Sequence, residues 1–191
     1  MKKYFIILVY LIFSHTIIYA QSETVKDVKG WNNSKWGMTE NEVVKAFNGN
    51  VKHLEENKIS KDGDGYCSLR MEGIEIDKEK YFADFWFDNN KKLYEVLIQP
   101  NKEGGSKLSE INFLEYQFKD LERKIIEKYN KPISDEDKDD KKNEIIKHQR
   151  LWNFPSTTIE LNYLCLLHKV LGEKSEFLCL RYKKKTAENN I

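Results

Sequence analysis

Two short acidic stretches are the first places in this sequence where residue type and spacing suggest chemistry. Asp62, Asp64 and Gly65 stand in the run Lys61-Asp62-Gly63-Asp64-Gly65, which invites a calcium loop. Counting dismisses it, because with Gly65 at the sixth loop position the twelfth, where a bidentate Glu belongs, is Met71. Asp135, Asp137 and Asp139 fail in the same way, with Asp140 in place of the required Gly and Ile146 at the twelfth position. A solvated hairpin turn and a solvated acidic loop over 134–143 account for both stretches. His53, His148 and His168 have no second ligand at zinc spacing. No Ser lies in a nucleophile elbow, and no Cys begins a helix that would lower its pKa. The sequence therefore leads us to expect no metal, no cofactor and no catalysis; an enzyme whose site is assembled from distant residues is the remaining alternative.

Three cysteines complete the reactive inventory: Cys67, Cys165 and Cys179. An odd set leaves one thiol over in an oxidising compartment. Cys165 and Cys179 flank Gly172 symmetrically, which favours a bridge across a hairpin. Alternation opposes it, since Ile159, Leu161 and Tyr163 put Cys165 on the core face whereas Leu178, Leu180 and Tyr182 put Cys179 on the other. Both readings, bridge and buried thiols, stand at this point.

That compartment is expected to lie outside the cytoplasm. Lys2 and Lys3 precede an apolar run from Tyr4 to Tyr19, and Ala20 is a suitable cleavage residue, so 1–20 reads as a signal peptide directing export to the periplasm or the extracellular space. No Cys stands near Ala20 to carry a lipid, and no stable membrane anchor is expected after cleavage. Losing Lys2 and Lys3 takes the basic count from 32 to 30 against 31 acids, a mature net charge of −1. With both signs interspersed there is no basic stripe, which argues against nucleic acid as a partner.

The elements that must position any site follow from the pattern. Residues 21–35 form a polar, irregular lead-in with Trp31 as a packing anchor. At 36–47 the chain specifies a short helix: Thr39 and Glu42 make a capping box, Met38 and Val43 a hydrophobic staple, and Val43, Val44 and Phe47 an apolar stripe. Gly49 ends it, because glycine enters the left-handed region without steric cost. Alternating segments near 51–54, 67–76, 81–87 and 93–98 follow. The piece 99–106, with Pro100, Gly104 and Gly105, is the best boundary. Ile111, Leu114, Phe118, Leu121, Ile125 and Tyr129 then recur at helical spacing, and strand-like runs lie at 145–154, 157–168 and 176–182. The expected organisation is unit one over 36–100, unit two over 101–185 and a frayed tail over 186–191. The expected class is α+β, two tandem helix-plus-antiparallel-meander units with helices packed on one face of the sheet.

Alternation also assigns the aromatics. Ala83, Phe85 and Phe87 make a core face, which turns Phe82, Asp84 and Trp86 the other way; Leu97 and Glu95 share that side, with Arg70 beside them. An apolar patch rimmed by charge on an uncovered sheet face is a protein-binding surface. If unit two or the lead-in covered that face, the same residues would be core.

Trp36-Gly37-Met38-Thr39, followed by Val43, Ala46 and Phe47, resembles the Gly-Met-Thr/Ser helix start of the SmpA/OmlA outer-membrane-assembly lipoproteins. It is similar also to the repeat unit of the beta-lactamase-inhibitor-protein family. Together with the strand pair at Phe85 and Leu93, the helix end 128–132 and Trp152 before Ile159, it resembles a set of uncharacterised exported bacterial proteins. The chain departs from the lipoproteins in lacking the lipidated Cys, and its second helix start at 106–112 lacks Gly-Met-Thr. The inhibitor likeness implies that a concave sheet face carries binding aromatics, here Phe82 and Trp86. The expected function is a non-catalytic exported protein that binds another protein or a cell-surface ligand; an inhibitor-like module that blocks a hydrolase is the alternative.

Overall fold

The computed structural model describes residues 26–101, 104–107, 113–140, 142–168 and 170–186. The expected signal peptide and the first lead-in residues lie outside the described residues, as do Ile111 and the end of the tail.

Helix α1 (Glu40–Ala46) has seven residues, too few to persist by propensity alone, so its ends and its packing must hold it. The Thr39 N–H donates to Glu42 Oε2 at 2.7 Å and the Glu42 N–H returns a bond to Thr39 Oγ1 at 3.4 Å. Val43 is fully buried, and the Phe47 ring meets Phe85 edge-on at 5.5 Å.

Four strands follow in an antiparallel meander: β1 (Val51–Ile59), β2 (Gly65–Ile76), β3 (Glu79–Asp88) and β4 (Leu93–Pro100). Gly65 opens β2. A Cβ there would stand 2.7 Å from the Phe87 carbonyl oxygen, so the residue that invited a calcium loop is glycine because two strands approach closely. After a short strand β5 (Gly104–Lys107), helix α2 (Phe113–Tyr129) buries Leu114, Phe118, Leu121 and Ile125 and stops at Asn130, whose φ is +67°, before Pro132. A second meander then runs through β6 (Ser134–Asp140), β7 (Ile145–Asn153), β8 (Thr157–His168) and β9 (Glu173–Lys184).

The two meanders are one sheet. β4 pairs with β9, setting Val96 opposite Tyr182 and Ile98 opposite Leu180, so the order reads β1-β2-β3-β4-β9-β8-β7-β6. β5 pairs with the 173–176 end of the same strand, taking over β9's flank where β4 leaves it.

This corrects the expected fold class. The protein is mainly β, with helices of 7 and 17 residues beside a nine-stranded antiparallel sheet whose strands reach 12 residues. It is not an α+β arrangement of two tandem helix-plus-meander units. The β4 and β9 edges satisfy each other's backbone groups, which fuses the halves. Three stretches not expected to be strand are strand as well: 55–59, left unassigned; 104–107, read as the boundary and the start of a helix; and 134–140, read as a charged loop. A single apolar cluster spans the seam, joining Val43, Phe47, Leu69 and Phe85 to Phe118, Leu121, Leu161 and Tyr163. Both helices and Trp31, stacked on Phe47 at 5.9 Å, contribute to that one face.

Candidate binding face

The opposite face of the sheet is built by the residues that alternate with the core. In β3, Ala83, Phe85 and Phe87 are fully buried in the apolar cluster, so Phe82, Asp84 and Trp86 emerge on the other side. Strand register then fixes their neighbours. Asp84 lies opposite Arg70 on one flank and Leu97 on the other, and the row continues across the seam to Arg181 and Glu160. Trp86 lies opposite Cys67 and Glu95, with Lys183 beyond. Phe82 lies opposite Gln99. All five expected residues, Arg70, Phe82, Asp84, Trp86 and Leu97, thus share one face.

They do not play one part. Asp84 is 1% exposed and receives Arg70 in a two-pronged pair, Nε to Oδ1 at 2.7 Å and Nη2 to Oδ2 at 2.9 Å, while Lys58 Nζ reaches Oδ2 at 2.8 Å. The same guanidinium lies 4.0 Å over the Phe82 ring. Asp84 is therefore a buried tether for two cations, and Arg70 is clamped between a carboxylate and an aromatic ring. Bonding to Asp84 raises the Arg70 pKa further above its ordinary value.

Across the seam the charge pattern inverts. Arg181 stands between two carboxylates, Nε 3.2 Å from Glu95 Oε1 and Nη1 3.5 Å from Glu160 Oε2. The Nε geometry makes no hydrogen bond, so the attraction is electrostatic. Burial pushes the Glu95 carboxyl above its ordinary pKa, with Arg181 and Lys183 pulling back only in part. Two cations share one carboxylate on one side of Leu97, and two carboxylates share one cation on the other. The face is close to neutral, with its charges consumed internally and its apolar groups left over.

Among those groups are Phe82, Trp86 and Leu97, each part-exposed; by register Leu164, Leu166 and Phe177 stand on the same face, with Leu166 36% and Phe177 45% exposed. Phe82 and Trp86 are four residues apart on one strand, a span of about 13 Å. The Trp86 indole N–H is buried and finds no acceptor among the described residues. No described helix lies on this side. Strands β6 to β9 extend the sheet instead of covering it, and α2 and the lead-in, through Trp31, pack on the core face.

Sequence reasoning missed Lys58, because β1 bulges between His53 and Lys58 and a bulge has no signature in the alternation. It missed the juxtaposition of Arg181 and Glu160 with Leu97, because only β4–β9 pairing creates it. Alternation within β8 was enough to turn Glu160 outward.

The remaining reactive residues stand apart from this chemistry. His53 is an edge residue 3.7 Å from Glu40; His148 stacks on Tyr163 and bonds Asp137 at 2.8 Å on the helix side; His168 lies 3.2 Å from Ser175 Oγ. All three thiols are free and buried. Register sets Cys165 opposite Glu176 and Cys179 opposite Asn162, on opposite faces, so they form no bridge. Burial pushes the Cys67 thiol up to about 12 and the Cys179 thiol up to about 11. Among the described residues no three His, Cys, Asp or Glu side chains are grouped to hold a metal ion, and no helix is long and apolar enough to cross a membrane. In comparisons with family models, curated proteins and solved structures, the chain finds no match.

Proposed function

We propose that this chain is an exported, non-catalytic binding protein that grips another protein with the uncovered face of its sheet. The observation that carries the reading is the division of labour there: the ionisable groups neutralise one another, while Phe82, Trp86 and Leu97 remain part-exposed with nothing described above them. A central apolar anchor set inside a polar rim is the arrangement that supplies most binding energy in protein interfaces. The near-neutral charge favours a protein over a nucleic acid. Export rests on the N-terminal sequence pattern. The helix-start resemblance to exported proteins that bind through a sheet face supports the same conclusion.

The test is photo-crosslinking in the living cell from positions 82 and 97, with position 170, in the β8–β9 turn and 99% exposed, as control. Both face positions should capture the same protein and position 170 should not. Leu97→Asp should abolish capture from position 82 at an unchanged unfolding midpoint, and Gln99→Arg should weaken it. Equal capture at all three positions, or capture from 82 that survives Leu97→Asp, defeats the proposal.

A further inference from the structure

A second candidate site lies away from that face, where the lead-in meets the end of helix α2. Residues 26–35, the α2 C-terminus and the end of β7 enclose an open cleft of about 1070 Å³. That is slightly above the range of small-molecule sites, which run from about 300 to about 1,000 Å³. Its walls are fixed. The Asp27 carboxylate accepts the Ser156 N–H at 2.8 Å and its hydroxyl at 2.6 Å, the Val28 carbonyl accepts the Thr157 hydroxyl, and the Trp36 N–H donates to the Lys29 carbonyl at 3.0 Å. On the far wall Trp152 Nε1 donates to the Asn130 carbonyl at 2.8 Å.

Five lysines line this cleft: Lys26, Lys29 and Lys35 from one wall, Lys128 and Lys131 from the other. None forms an ion pair with a described carboxylate. The sole acid in the lining, Asp27, is bonded to Ser156 and also attracted by Lys29, which leaves four of the five lysines without a carboxylate in the lining to offset them. Lys128 by itself would be explained by the negative end of the α2 dipole, but the three lead-in lysines lie on no helix. The lysines come from segments far apart in sequence, so no basic run betrays them.

The rest of the lining selects among anions. No arginine fork is present to grip a single phosphate two-pronged, and the charges are spread over both walls, which suits several anionic groups in series. Asn32, Asn130 and Asn153 add three exposed carboxamides whose side chains bond nothing among the described residues, and the Tyr129 ring lies in the same lining, with Lys128 4.9 Å over it. A carboxamide offers both donor and acceptor, which matches a hydroxyl and is half wasted on a phosphate. We propose that this cleft binds a short acidic oligosaccharide of the uronate class, the lysines meeting its carboxylates and the carboxamides its hydroxyls.

The test is calorimetric titration of the protein with trigalacturonate, maltotriose, tripolyphosphate and a hexa-aspartate peptide. Trigalacturonate should bind saturably, more tightly than the other three, and weaken as salt rises. Lys29→Gln with Lys131→Gln should weaken it roughly tenfold at an unchanged thermal midpoint. Asn153→Ala should weaken trigalacturonate but leave any residual tripolyphosphate binding unchanged. Absence of saturable trigalacturonate binding at low salt, or binding untouched by the double lysine variant, overturns the site. Equal affinity for tripolyphosphate or hexa-aspartate overturns the sugar assignment, since charge alone would then suffice. None of these variants touches Phe82, Trp86 or Leu97, so the two sites fail or stand independently.

Discussion

Asp84 shows how a residue can be placed correctly by its sequence and still be misread. Alternation turns it outward, as found, but its burial depends on Lys58 arriving through a bulge and on Arg70 closing from β2. Arg70 is 23% exposed and Lys58 46%, so both can rehydrate if their partner is lost. Asp84→Ala should therefore cost about 3 kcal/mol, the low end for breaking a buried pair, read from urea unfolding. Glu95 behaves in the opposite sense. Its folded pKa is raised above the ordinary carboxylate value, so the native state holds the proton more firmly than the unfolded chain. The stabilisation this gives is fully present below the unfolded pKa and is lost as pH rises through the folded one. Glu95→Gln should match the wild type in stability below pH 4.5, the ordinary value, and exceed it at neutral pH. Equal pH slopes for the two proteins would contradict the assignment.

Among the elements, helix α1 was readable to the cap because each signal is local: Thr39 and Glu42 bond each other within one turn. Strand β6 was not. Its sequence, Ser-Asp-Glu-Asp-Lys-Asp-Asp, has the composition of a solvated loop, and what orders it comes from β7 and α2. Arg150, 8% exposed, bonds Asp137 at 2.7 Å and Glu122 at 2.5 Å, while Lys147 lies 3.3 Å from Glu136. The acids that hide the strand in the sequence also guard it, because a charged edge resists pairing with another chain. Arg150→Gln should leave β7, β8 and β9 protected in hydrogen exchange while amides 134–140 open, with a loss of about 1 to 2 kcal/mol overall. Bonding to Arg150 holds the Asp137 carboxyl below its ordinary 3.8. The stability it contributes is present above that value and is lost as pH falls through the lowered one, so β6 should release in acid before the centre of the sheet does. Uniform loss of protection across the sheet would count against this.

For the molecule as a whole, most strands and turns were legible, β5 and β6 excepted, and their assembly was not. Hairpin turns make neighbours of consecutive strands, which is why both meanders could be foreseen. The β4–β9 seam joins strands with no local connection, and alternation in each is equally compatible with two separate sheets. That is why the expected class was wrong while the assignment of Phe82, Trp86 and Leu97 to one face was right in register. One cluster bridges the seam, so tryptophan fluorescence and far-ultraviolet circular dichroism should report one coincident urea transition. Two separated midpoints would mean that residues 36–100 and 101–185 keep independent cores.

The seam also sets a timetable for biosynthesis. β9 is the last of the described strands to be made, yet it stands at the middle of the sheet, between β4 and β8. Until it emerges, a growing chain carries β4 with one edge unclaimed and β8 likewise. A chain truncated before residue 173 would keep both edges bare for good, sticky toward any other extended polypeptide. For a protein expected to be exported, that makes the interval before β9 arrives the period of greatest need for a chaperone that holds chains unfolded.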